Sequence, residues 1–134
     1  MRPSISIVWF KRDLRFTDHE ALHEAQQSGL PVLLLYCFEP SVMNCDDSDV
    51  RHWRFVHESL QDIKSTLAKL NIPLYIFHQE VDIVFEQLNH YFHIETVFSH
   101  QETGNQLTFE RDKRMAGFFD SNNITWNEFQ TNGV

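Results

Sequence analysis

Three cations and an acid fall within five residues of the stretch WFKRDLRFTDHEAL at positions 9–22: Lys11, Arg12, Asp13 and Arg15. The charged knot follows the apolar run ISIVWF and precedes a segment of helical character, an unusual place for so much charge in a strand-to-helix loop. A guanidinium offers a planar fork to a carboxylate, a phosphate or a carbonyl oxygen, and Asp13 between two of them can hold the forks in place. Three readings stand on these residue types. The knot is a solvated surface loop, a clamp that ties the loop to a sheet edge or a neighbouring domain, or an anion-binding floor for an organic cofactor. The spacing does not separate the last two.

Other chemistry is harder to find. The chain has four glycines, Gly29, Gly104, Gly117 and Gly133, and forms neither GxGxxG after its first apolar run nor GxxxxGK[ST] anywhere. A backbone cradle for phosphate needs small residues or positive φ, and KRDLRF supplies neither. His90 and His93 form HxxH without a carboxylate or cysteine at a matching distance, which argues against zinc. The acidic run CDDSD at 45–49 reads as a helix start, with Asp49 as the cap, in preference to a metal site. No GxSxG occurs and no Cys–His pairing is evident, so no self-contained catalytic apparatus is visible.

The elements that must position the knot follow from periodicity. Apolar runs at 5–10, 32–38 and 74–77 are hydrophobic nearly throughout, as strands buried on both faces of a parallel sheet must be; shorter runs at 96–99 and 124–126 complete the set. Between them the spacing predicts helices at about 19–28, 50–70, 81–91 and 107–120. The clearest carries Val56, Leu60, Ile63, Leu67 and Leu70 in one stripe. GLP and NIP each end a helix and launch a strand. The alternation implies a doubly wound α/β fold: a five-stranded parallel sheet with helices on both faces, Rossmann-like but without a glycine-rich phosphate loop. The long loop from 38 to 49 and the knot then share the carboxyl edge, where such sheets bind ligands.

The bulk numbers agree with one domain: 134 residues, 42% hydrophobic and 22% charged. A net charge of −8 disfavours direct tracking of nucleic acid. Twelve phenylalanines suit an aromatic core, with some rings left to line a pocket or interface. Cys37 and Cys45 make no disulfide framework, and no signal peptide or membrane-length apolar run is present, so a reducing, cytoplasmic setting is expected.

WFKRDLRFTDHEAL resembles the opening signature of DNA photolyases and cryptochromes: Trp-Phe, a basic residue, Asp-Leu-Arg, a later Asp and Ala-Leu. RHWRFVHESLQDI resembles the family's second helix, with Phe55, Ser59 and Leu60 at its usual Phe and Ser-Leu positions. SHQETGN followed by RDKRM resembles the loop and helix after the fourth strand, with the family's Arg-Asp pair at Arg111 and Asp112, and ITWNEF resembles the fifth strand. His19 departs from the family's more common Asn.

The resemblance covers essentially the whole chain. It implies that residues 1–134 form the family's amino-terminal α/β domain, and that the helical domain holding FAD and receiving damaged DNA lies beyond Val134. The whole protein would use blue or near-UV light to drive electron transfer from reduced FAD, splitting pyrimidine dimers in a photolyase (a carbon–carbon lyase) or signalling in a cryptochrome. This domain would hold an antenna chromophore, either folate, FMN or a deazaflavin, or would serve as a structural docking domain without one. Its partners would be the FAD domain and, through that domain alone, DNA; no membrane is expected. Carried onto this sequence, the antenna site is expected at Arg12, Asp13, Leu14 and Arg15 of the knot; at Phe38, Glu39 and Met43 after the second strand; and at Arg51 and Phe55 of the following helix. Glu102 and Asn105 stand after the fourth strand, where the folate-binding branch uses acidic and amide side chains. No catalytic or metal-ligating residue is assigned.

Overall fold

The computed structural model describes residues 2–11, 20–44, 50–69, 73–101 and 106–130, with positions 50 and 52 described in their backbone only. Its elements run β1 (Ser4–Phe10), α1 (Glu20–Gln27), β2 (Val32–Cys37), α2 (Pro40–Met43), α3 (Val50–Ala68), β3 (Leu74–Phe77), α4 (Val81–Tyr91), β4 (His93–His100), α5 (Gln106–Ser121) and β5 (Thr125–Phe129). The strands form one parallel sheet in the order β3-β2-β1-β4-β5. The direction of strand addition reverses at β1, so a topological switch point opens beside its carboxyl end.

Alternation along β1 divides the core in two. Val8 and Phe10 pack with Leu34, Tyr36 and Phe38 under α1 and α3, through Ala21, Leu22 and Ala25 of the first helix and Val56, Leu60, Ile63 and Leu67 of the second. Ile5, Ile7 and Trp9 pack on the opposite face with Val84 and Phe85 of α4 and Met115 and Phe119 of α5. The stripe read from the sequence of α3 is thus its buried face as far as Leu67; Leu70 lies outside the described residues, as does the predicted cap Asp49.

Two elements exceed the sequence reading. A short helix, α2, lies in the long loop after β2, started by Pro40 at its first turn and tied by Ser41, whose amide and hydroxyl donate to the Glu80 carboxylate at 3.0 Å each. Strand β4 begins three residues before the predicted run, because its opening residues His93 and Glu95 are exposed and hide the apolar Ile94 between them. Among the described residues, no helix is long and apolar enough to cross a membrane.

Gly29 follows α1 with φ of +78°, the left-handed conformation that ends the helix and turns the chain into β2. A Cβ there would meet nothing within 4 Å, so only backbone strain opposes a side chain. Gly29→Ala should therefore lower stability by about 1–2 kcal/mol without altering the sheet, read as a fall in thermal midpoint with an unchanged far-UV spectrum.

Candidate functional site

The carboxyl edge of the sheet gathers most of the unusual side chains. Lys11 leaves β1 on the same side as Trp9, two residues earlier, and is buried to 6% exposure. Its ammonium lies 4.3 Å from the Trp9 ring centroid and 5.3 Å from that of Trp126, and donates to Asp112 Oδ2 at 3.1 Å. The two indoles stack with centroids 6.0 Å apart, reaching over the intervening β4, where Trp126 Nε1 donates to the buried Ser99 hydroxyl at 2.9 Å. Cation, indole and carboxylate satisfy one another, which is what a buried ammonium requires.

Helix α5 supplies the second cation. Thr108, Arg111, Met115 and Phe119 form its buried stripe, so Arg111 occupies a position where helical period would place an apolar residue. Arg111 Nη1 donates to Glu39 Oε1 at 2.5 Å, and Nε and Nη2 both lie 3.1 Å from Asp112 Oδ1. The guanidinium carbon sits 5.1 Å from the Trp9 ring centroid. A line of alternating charge, Lys11–Asp112–Arg111–Glu39, thus joins β1, α5 and the end of β2. Glu128 on β5 stands at its margin: burial raises its carboxyl above the ordinary range, with Lys11 opposing and Asp112 adding.

Glu39 is 5% exposed. Burial lifts its carboxyl to about 7, against the Arg111 guanidinium and the Val81 backbone amide, which favour the anion, while Glu80 pushes it higher. Cys37, one side-chain repeat earlier on the same face, is a buried free thiol driven strongly upward by burial and then by Glu39. It is a protonated packing residue, not a nucleophile.

The opposite face of the same corner is aromatic. Phe38 stacks on His78 at 4.9 Å with an interplanar angle of 11°, and meets Tyr36 and Trp53 edge-on at 5.0 and 6.2 Å. Met43 of α2 and Trp53 of α3 pack against this cluster. The β2 pleat explains the division: Phe38 turns to the aromatic side, whereas Glu39 turns to the charged side.

Of the residues expected to line an antenna site, the structure brings Phe38 and Met43 into one cluster and places Glu39 behind them, its carboxylate engaged by Arg111. Arg51 lies exposed in the first turn of α3, and Phe55, one turn on, is 67% exposed. Arg12, Asp13, Leu14, Arg15, Glu102 and Asn105 fall outside the described residues. Three participants were not singled out from sequence: Trp53, His78 and Trp126. Arg111 carried a visible signal in its place on the apolar stripe of α5. His78 carried none, since it follows an edge strand as any loop residue would.

A family model described as DNA photolyase matches residues 6–134. Cryptochrome DASH of a Synechocystis strain is 31% identical over 116 residues, covering 82% of this chain and 24% of that relative. The Solanum lycopersicum protein named Cryptochrome DASH, chloroplastic/mitochondrial, is 31% identical over 105 residues, covering 74% of this chain and 18% of its own length. The chain therefore spans about a quarter or less of these curated relatives. Among solved structures, a Synechocystis cryptochrome superposes with a TM-score of 0.83 at 24% identity, over 97% of this chain and 28% of that one. An archaeal photolyase from Sulfolobus tokodaii, solved with two FAD molecules and described as implying a novel light-harvesting cofactor, superposes with a TM-score of 0.83 at 20% identity, over 93% of this chain and 29% of that one.

Proposed function

The chain belongs to the DNA photolyase family, and from that membership we propose that it is the light-harvesting domain of a blue-light flavoprotein. The observation that carries the proposal is the corner after β2, where Phe38, Trp53 and His78 build an aromatic wall, with Met43 packed against it, on the sheet edge at which β1 ends. A flat heteroaromatic chromophore needs such a wall and a few polar hooks, and Arg12, Asp13 and Arg15 are the nearest hooks in sequence to the switch point. Energy transfer asks no proton chemistry of the protein, only a chromophore held at fixed distance and orientation. The second FAD and the light-harvesting cofactor attributed to the Sulfolobus tokodaii protein add weight by analogy of fold.

In the whole protein this domain would abut a helical FAD domain, and DNA would be met through that partner alone, consistent with the −8 charge here. The parent is proposed as a deoxyribodipyrimidine photolyase, and its unpaired, buried Cys37 suits a reducing compartment such as the cytoplasm. A second reading is a structural docking domain of a cryptochrome-type photoreceptor with no bound antenna; the relatives named Cryptochrome DASH support its cryptochrome part alone.

An absorption and fluorescence titration of the chain with methenyltetrahydrofolate, FMN and a deazaflavin tests the proposal. One of the three should bind saturably, and Arg12→Ala should weaken that binding about tenfold or more, the worth of a hydrogen bond to a charged group. Binding that ignores Arg12→Ala would remove the knot from the site. No binding to either this chain or the full-length protein would favour the docking domain.

A further inference from the structure

We propose that His78 is the platform on which the aromatic corner takes a planar heteroaromatic ring, the ligand stacking on the outer face of the imidazole while Phe38 forms the layer beneath. The platform deepens the light-harvesting reading and depends on it for the class of ligand. Phe38 has no ring face left to give. It is 3% exposed, Tyr36 and Trp53 meet it edge-on at 5.0 and 6.2 Å, and His78 covers it at 4.9 Å and 11°. A near-parallel pair presents one outer face from each ring. That of Phe38 is turned into the core, so the face open to a ligand is that of His78, which is exposed. The other rings of the corner do not continue the stack: Trp53 is half-buried and stands at 62° to Phe38, and the exposed His57 of α3 is tilted by 43° at 6.5 Å. A ring laid on His78 adds one layer in the offset-parallel arrangement that aromatic rings favour.

The platform is held in place before a ligand arrives. On one side of it the Phe38 amide donates to the Phe77 carbonyl at 2.7 Å, carrying the β2–β3 ladder up to the residue before His78. On the other side the Glu80 carboxylate accepts from the Ser41 amide and hydroxyl at 3.0 Å each, which fastens the far end of the turn to α2. Within the turn the Glu80 amide donates to Gln79 Oε1 at 3.0 Å. His78 thus stands between two anchored residues, and the stack on Phe38 has already set its ring. Binding then loses little side-chain freedom at this position. Stacking recognises the ring by its π-face alone, whatever tail the ring carries. An anionic tail would fall to the cations of the knot, so ring and tail are separable parts of one site.

Lumiflavin, a flavin ring without ribityl chain or phosphate, tests the platform apart from the knot. In proton NMR of the wild-type chain, added lumiflavin should move the His78 ring protons upfield, the ring-current mark of a face-on neighbour, and move those of His57 much less. In a fluorescence titration, His78→Ala should weaken lumiflavin binding about tenfold, the scale of one ring stacked on an aromatic side chain. His78→Phe, which restores a flat ring, should recover most of the loss, and a residue that merely shields Phe38 from water would show no ligand-induced shift. Absence of a shift at His78 overturns the proposal, and so does binding that survives His78→Ala or falls equally in His57→Ala. Should His78→Ala fail to fold, the wild-type shifts decide the matter alone. The antenna reading fails separately, when methenyltetrahydrofolate, FMN and a deazaflavin all go unbound; a bound chromophore indifferent to His78→Ala removes the platform and leaves that reading standing.

Discussion

Arg111→Met should cost about 3–5 kcal/mol of folding free energy, the range for removing one member of a buried ion pair. Domains of this size hold a margin of about 5–15 kcal/mol, so the variant would sit near the limit of folding. Arg111 is 4% exposed and serves two carboxylates at once, Glu39 through Nη1 and Asp112 through Nε and Nη2. Methionine fills much of the volume but leaves Glu39 buried without the guanidinium. The loss should be larger at pH 8 than at pH 6, because Glu39, already lifted to about 7 by burial, escapes part of the penalty by binding a proton. Urea denaturation at the two pH values measures both the cost and its slope. Arg111→Lys should recover only part of the loss, since one ammonium cannot reproduce the fork that spans both acids. Equal denaturation midpoints for wild type and Arg111→Met would mean that the pair contributes nothing to the fold.

Trp9→Ala is expected to cost about 3–5 kcal/mol, as large-to-small changes at a fully buried aromatic do. Trp9 is 1% exposed and lies against both cations of the charged side of the edge. It meets Phe85 edge-on at 5.7 Å, stacks on Trp126 and lies beneath both Lys11 and Arg111. Removing it opens a cavity between β1, α4 and α5 and takes away the ring face nearest the Lys11 ammonium, leaving Trp126 at 5.3 Å. Trp9→Phe, which keeps an aromatic face for the cation, should lose clearly less. Chemical denaturation of the two variants side by side makes the comparison. Equal losses would show that volume alone matters, and that the cations draw nothing from the ring.

Much of this architecture is local and could be read along the chain. Uniform apolar character marked β1, β2 and β3 as strands buried on both faces. That holds for β1 and for residues 34–37 of β2, whereas β3 is an edge strand with Tyr75 46% exposed. The stripe through Val56, Leu60, Ile63 and Leu67 marked the face of α3. The alternation of such runs implied the parallel doubly wound sheet, because each crossover helix must cover the sheet that its flanking strands build. The opening signature and the Arg111–Asp112 pair carried the family, which the match over residues 6–134 supports. Where local character was diluted, the reading fell short: α2 is one short turn inside a loop, and the first residues of β4 alternate with exposed His93 and Glu95.

The partners of the charged groups were not legible in the same way. Lys11 and Asp112 lie 101 residues apart, Glu39 and Arg111 72 apart. Nothing in the spacing of either pair selects it from the other acids and bases of the chain. They meet because the crossover after β4 sets α5 on the sheet face that Trp9 and Cys37 share. The sequence by itself determined the five strands, the four longer helices, their order along the chain and the edge on which the charge collects. The tertiary structure alone decided which charges pair, that Glu39 turns inward while Phe38 turns to the aromatic wall, and that burial brings one carboxyl to the neutral range. Pairing and desolvation depend on neighbours in space, and those exist only once the sheet has closed.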